Sequence, residues 1–216
     1  MNATTQSVRK WARVGVVGGL ATLVGGLTVQ GVVVPRTTVA PELWTYPWDG
    51  RAFVVVTILY AVLHAMVFAG LWGFRLSGLA GRGRGARTGH ALALTGTALL
   101  AVAEIVSLFW VGQRMDAVGP SVTAGIFGLG TVLSAAGFVT LGVTTLRAEQ
   151  WAGWRRCIPL VLGVWTTLLL LAVATPFGAG GIGIYGGLLA LLFVALHTQP
   201  VAMRATPVLG GAALRT

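Results

Sequence analysis

Six stretches of this chain, near 14–34, 53–74, 89–111, 122–146, 157–175 and 181–200, are apolar over lengths that a soluble domain rarely tolerates. Crossing the hydrocarbon core of a bilayer takes roughly 20 helical residues, and each stretch comes close to that length or exceeds it. The Val-rich runs also invite a reading as strands. They lack the in/out alternation of a barrel strand, however, and inside lipid an open strand leaves its backbone groups unsatisfied. The expected fold is therefore all-α: a polytopic bundle of six transmembrane helices forming a single domain over residues 1–216. With 56% of its 216 residues hydrophobic and only 9% charged, the chain lies outside the usual soluble range.

The first apolar stretch follows Arg9, Lys10 and Arg13, as a signal peptide would. Its run is too long for the apolar region of such a peptide, and the nearest small-residue cleavage candidate, Thr38-Val39-Ala40, is followed by Pro41. An uncleaved helix is expected.

A net charge of +10 would fit a nucleic-acid binder, but the placement of the charges points elsewhere. With the N-terminus taken as cytoplasmic, Arg9, Lys10, Arg13, Arg75, Arg82, Arg84, Arg87, Arg147, Arg155, Arg156, Arg204 and Arg215 fall inside, and only Arg36, Arg51 and Arg114 fall outside. This bias follows the positive-inside rule and puts both termini in the cytoplasm. The partners it implies are membrane lipids rather than nucleic acid. Fourteen of the fifteen cations are Arg, which fits a high-GC bacterial genome and hence a bacterial inner membrane. Cys157 is alone, which excludes a disulfide framework or a Cys-x-x-Cys pair.

Connections are short except for the outer loop 35–52 and the inner loop 75–88. Glycines recur in the first helix at seven-residue spacing, Gly18 with Gly25 and Gly19 with Gly26, and Gly15 and Gly19 form a Gly-x-x-x-Gly; such positions let helix backbones approach closely in lipid. Residues 62–71 echo 132–141, with Val62, Leu63, Ala65, Phe68 and Leu71 opposite Val132, Leu133, Ala135, Phe138 and Leu141. Either helices two and three recur as four and five, or Ala/Leu/Val-rich helices coincide by chance.

The chemistry-bearing residues centre on Glu104. Counting by sevens puts His90, Thr97 and Glu104 on one face of helix three, with Ser107 beyond. A carboxylate near mid-helix costs about 2.5–3.5 kcal/mol on insertion scales, so Glu104 is expected to have a partner, to carry a proton, or both. Helix two offers Thr57, Tyr60 and His64. Depth counting sets Tyr60 and Glu104 level, on the order of 10 Å below the outer surface at 1.5 Å per residue, with His64 one turn deeper and Gln30 of helix one slightly shallower. Above them lies loop 35–52 with Glu42, Trp44, Tyr46, Trp48 and Asp49, read either as an aromatic lid over an outward-facing pocket or as an interfacial belt. His64 alone in the core gives no bis-histidine haem site, and His90 with His197 lacks a third ligand. No cofactor or metal is expected. The glycines of 81–87 follow no strand, so they form a basic turn and not a phosphate loop.

"TYP" at 45–47, "AEI" at 103–105 and "WAGWRR" at 151–156 give the chain its resemblance to small six-helix integral membrane proteins of actinobacteria. In its buried acid amid aromatic residues it also resembles membrane-bound terpene cyclases. That resemblance implies a protonated Glu104 that donates its proton to an isoprenoid olefin or epoxide and is tuned by Tyr60 and His64. Asp49 would be the second acid, and Trp44, Tyr46, Trp48, Phe109, Trp110 and Gln30 would line the substrate. The expectation is thus acid-catalysed cyclisation or isomerisation of a lipophilic small molecule. The alternative is a non-catalytic membrane subunit or a small proton-coupled transporter.

Overall fold

The computed structural model describes residues 3–172, 175 and 177–199. Among the described residues there is no strand. The described residues form six α-helices: α1 (Ala3–Thr28), α2 (Gly50–Ser77), α3 (Arg84–Ser107), α4 (Val118–Ala148), α5 (Ile158–Ala172) and α6 (Gly178–His197). All six spans are long and apolar enough to cross a membrane. Residues 173, 174 and 200 of the expected fifth and sixth segments, together with Arg204 and Arg215, lie outside the described residues.

The helices outrun their apolar cores because the flanking residues supply stops and starts. α1 continues through a π-helical turn, Val29–Val33, into a 3-10 turn, Val34–Arg36, that contains Pro35. α2 begins three residues before its expected start, capped by Asp49, and Gly78, at φ +71°, ends it in the left-handed conformation that glycine adopts without strain. Pro159 sits in the first turn of α5, where its missing N–H leaves no bond unmade.

Each helix packs against its neighbour in sequence, and α6 returns to α1, which closes a ring. The α1/α6 and α3/α4 seams are the most extensive, and α5/α6 is the thinnest. The two glycine series of α1 serve different neighbours. Side chains at Gly18 and Gly25 would meet Met66 and Tyr60 of α2, whereas Cβ atoms at Gly19 and Gly26 would lie 2.6 Å from the Ala190 nitrogen and 2.5 Å from the Gly183 nitrogen of α6. The other tight seams use the same device: Gly137 lies against Ala93, Gly142 against the Leu160 backbone, and Gly163 against Val139. Inside the ring Leu71, Phe138, Leu162, Leu189 and Phe193 are fully buried.

The internal echo recurs in packing only in part: Val62 and Val132 are both half exposed and Leu71 and Leu141 both fully buried, but Phe68 is 36% exposed while its counterpart Phe138 is fully buried. The described cations split as the sequence divides them. One end of the ring carries Arg75, Arg82, Arg84, Arg87, Arg147, Arg155 and Arg156 at its connections, and the opposite end carries Arg36, Arg51 and Arg114.

These contacts predict opposite effects for one substitution at two glycines. Gly26→Ala drives a methyl into the Gly183 backbone and is expected to destabilise by about 1–3 kcal/mol, as overpacking does. Gly125 has nothing within 4 Å, so Gly125→Ala is expected to be neutral or to gain up to ~1 kcal/mol from reduced chain entropy. Reversible unfolding in mixed micelles measures both, and equal shifts would refute the assigned α1/α6 contact.

Candidate functional site

A hydroxyl inside an apolar helix is satisfied most cheaply by its own backbone, through the carbonyl four residues earlier. Thr97 donates to the Ala93 oxygen at 2.9 Å and Ser107 to the Ala103 oxygen at 2.8 Å. Two members of the expected polar stripe on α3 are therefore closed within their own helix. His90 stands apart as well. It lies fourteen residues from Glu104, about 21 Å along the axis, where its ring meets Phe74 edge-on at 5.2 Å, and Phe74 in turn stacks with Trp151.

What remains is Glu104. Its Oε1 lies 4.0 Å from His64 Nδ1 on α2, beyond hydrogen-bond range. His64 Nδ1 lies 2.9 Å from the Tyr60 carbonyl oxygen; with a proton on Nδ1, that N–H is donated within α2. Among the described residues Glu104 makes no hydrogen bond. Its side chain is 16% exposed and that of His64 17%, so the pair is enclosed but not sealed.

Of the expected cluster of Glu104, Tyr60 and His64, His64 comes nearest the carboxyl, and Tyr60 stays within electrostatic reach of it. Cβ atoms lean toward the N-terminus of their helix. In antiparallel helices the side chain of the deeper His64 leans outward and that of the shallower Glu104 leans inward, so they meet from different heights. The Tyr60 hydroxyl also lies against α1, where a Cβ at Gly25 would come within 3.1 Å of it.

Several other expected site residues are occupied elsewhere. The Gln30 carboxamide oxygen accepts the Gly180 N–H at 3.0 Å, at the start of α6. Asp49 accepts the N–H groups of Arg51 and Ala52 at 3.0 and 2.9 Å, as the N-cap of α2. The Trp110 indole N–H donates to Thr123 of α4 at 2.8 Å, and Phe109, 72% exposed, faces outward. The aromatic loop is clasped to the turn between α3 and α4: Trp44 N–H donates to the Gln113 oxygen at 2.9 Å and Met115 N–H to the Glu42 oxygen at 2.8 Å. The backbone N–H groups of Tyr46 and Trp48 close turns within the loop, on Leu43 and Thr45. Tyr185, not singled out from sequence, is buried beside Phe138 with its hydroxyl unpartnered among the described residues. Among the described residues no three His, Cys, Asp or Glu side chains converge as a metal site would require.

The capping geometry separates a structural aspartate from a catalytic one. Asp49→Ala is expected to cost about 0.5–2 kcal/mol of stability, and Asp49→Asn, itself a good cap, close to nothing. Chemical unfolding of both variants checks this, and equal losses would remove the capping role. No protein-family model, no curated protein and no solved structure matches the chain, so the Glu104–His64 geometry itself carries the functional reading.

Proposed function

We propose that this chain is a multi-pass protein of a bacterial inner membrane, its arginine-rich end cytoplasmic, in which Glu104 binds and releases a proton within the bilayer as part of a small proton-coupled transporter or membrane subunit. One observation supports this above the others: a partly accessible carboxyl, free of protein hydrogen bonds among the described residues, stands 4.0 Å from an imidazole. A glutamate that only held helices together would be expected to spend its oxygens on a neighbouring helix, because an unsatisfied polar group in lipid is costly. His64 is close enough to exchange a proton with Glu104 through one water, or directly after a small rotation.

Acid catalysis on an isoprenoid would use the same carboxyl, reached from the bilayer between α2 and α3. That chemistry also asks for aromatic walls to shelter a carbocation and for a second acid. Asp49 capping α2 and Trp110 bonded to Thr123 weigh against it. Proton exchange needs neither.

In proteoliposomes with an imposed pH gradient, the protein is expected to move protons and Glu104→Gln to abolish the flux. Glu104→Asp should retain part of it, and His64→Gln should slow it by about 10²-fold, the lower range for removing a positioned proton-transfer group. Proton flux in Glu104→Gln equal to that of the unaltered protein would overturn the proposal.

A further inference from the structure

α5 spends its small face on α4, where Gly142 admits the Leu160 backbone and Gly163 admits Val139. Its other side meets α6 across an indole. Trp165 of α5 donates its N–H to the Gly181 oxygen at 3.1 Å, which ties the helices at one point and holds them apart by the width of a ring. The result is an open cleft of about 430 Å³ lined by Val161, Val164, Trp165 and Leu168 of α5 and by Ile184 and Leu188 of α6. That volume lies within the ~300–1,000 Å³ of sites that hold small molecules, yet no charged side chain lines it. Val161, Val164 and Leu168 are each half exposed.

The cleft is placed for one kind of occupant. It begins at Leu160, one turn beyond Arg156, and Leu160 to Leu168 spans about 12 Å at 1.5 Å per residue. That nearly fills one leaflet of a ~30 Å hydrocarbon core. Directly below, the 3-10 turn Gly153–Cys157 carries Arg155 and Arg156 in succession. Neither guanidinium pairs with a carboxylate among the described residues. Trp154 beside them is 60% exposed, at the height of the headgroups. An apolar slot that begins one turn past two arginines unpaired with any carboxylate among the described residues complements an acyl chain joined to a phosphate.

We propose that the α5/α6 cleft is a binding site for one anionic phospholipid of the leaflet at the arginine-rich end, its acyl chain lying along Val164 and Trp165 and its phosphate held by Arg155 and Arg156. The proposal is independent of Glu104. It is tested by native mass spectrometry of the full chain, released from micelles doped with phosphatidylglycerol or with phosphatidylcholine of identical chains. The protein is expected to retain phosphatidylglycerol preferentially. Arg155→Gln/Arg156→Gln should lower that retention by about fivefold per arginine, or roughly 25-fold for the pair. Val164→Trp, which fills the slot from an exposed position, should reduce retention of both lipids. Arg82→Gln/Arg84→Gln removes equal charge at the same end but away from the cleft, and should change nothing. Should Val164→Trp fail to fold, the comparison of the two arginine pairs still decides. Equal losses from the two pairs, or retention by a folded Val164→Trp protein matching that of the unaltered chain, would reduce the effect to general surface charge and overturn the site.

Discussion

At Gly19, Gly26, Gly137, Gly142 and Gly163 a helix backbone lies against its neighbour with no room for a Cβ, and the ring depends on these approaches. Burying one apolar side chain against another brings little gain in lipid, where the tails are equally apolar. Association must come from close dispersion contact, which falls steeply with distance. A glycine brings two backbones near enough for many atoms to touch. The splitting of α1's two series, Gly18 and Gly25 toward α2 and Gly19 and Gly26 toward α6, lets one helix hold two neighbours at once and so closes the ring.

The same environment sorts the polar residues. Thr22, Thr97, Ser107, Thr123 and Thr166 each donate to the carbonyl four residues earlier, so their hydroxyls add little polarity to the interior. Histidine and glutamate are less easily hidden. His64 can reach the Tyr60 oxygen behind it, but a helix offers a carboxyl no free backbone N–H in its interior. Glu104, like the buried Tyr185 hydroxyl, is therefore a group in the spans whose need is not met by hydrogen bonds among the described residues.

The number of spans, their positions and the sidedness of the arginines were legible in the sequence because hydropathy and charge act residue by residue. The site was legible only in part. Depth counting grouped Glu104 with Tyr60 and His64, while how closely each approaches the carboxyl depended on the lean of side chains in antiparallel helices, which counting along the axis ignores. Asp49 could have been read as a cap, since an aspartate directly before a long apolar run is a helix-start signal; its acidity drew attention to chemistry instead. The clasp between Glu42–Trp44 and Gln113–Met115 joins segments some seventy residues apart. No local pattern announces such a contact, and it is what draws the aromatic loop to the α3–α4 turn.

Glycine also explains where the unusual features fall. The α1/α2, α1/α6, α3/α4 and α4/α5 seams each contain glycine contacts, whereas Gly70 and Gly73 of α2, Gly85, Gly89 and Gly96 of α3, Gly163 of α5 and Gly183 and Gly186 of α6 all press into seams other than α2/α3 and α5/α6. Those two seams are the loosest of the ring. Glu104 and His64 lie in one and the apolar cleft in the other. The association has a physical basis. Side chains rather than hydrogens separate the helices there, which leaves room for a carboxyl to be reached or for a hydrocarbon chain to lie, while four tight seams keep the ring from opening. Replacing Trp165 with glycine would thus do more than remove an indole. It would also remove the hydrogen bond to Gly181 that ties α5 to α6 and the ring that spaces them.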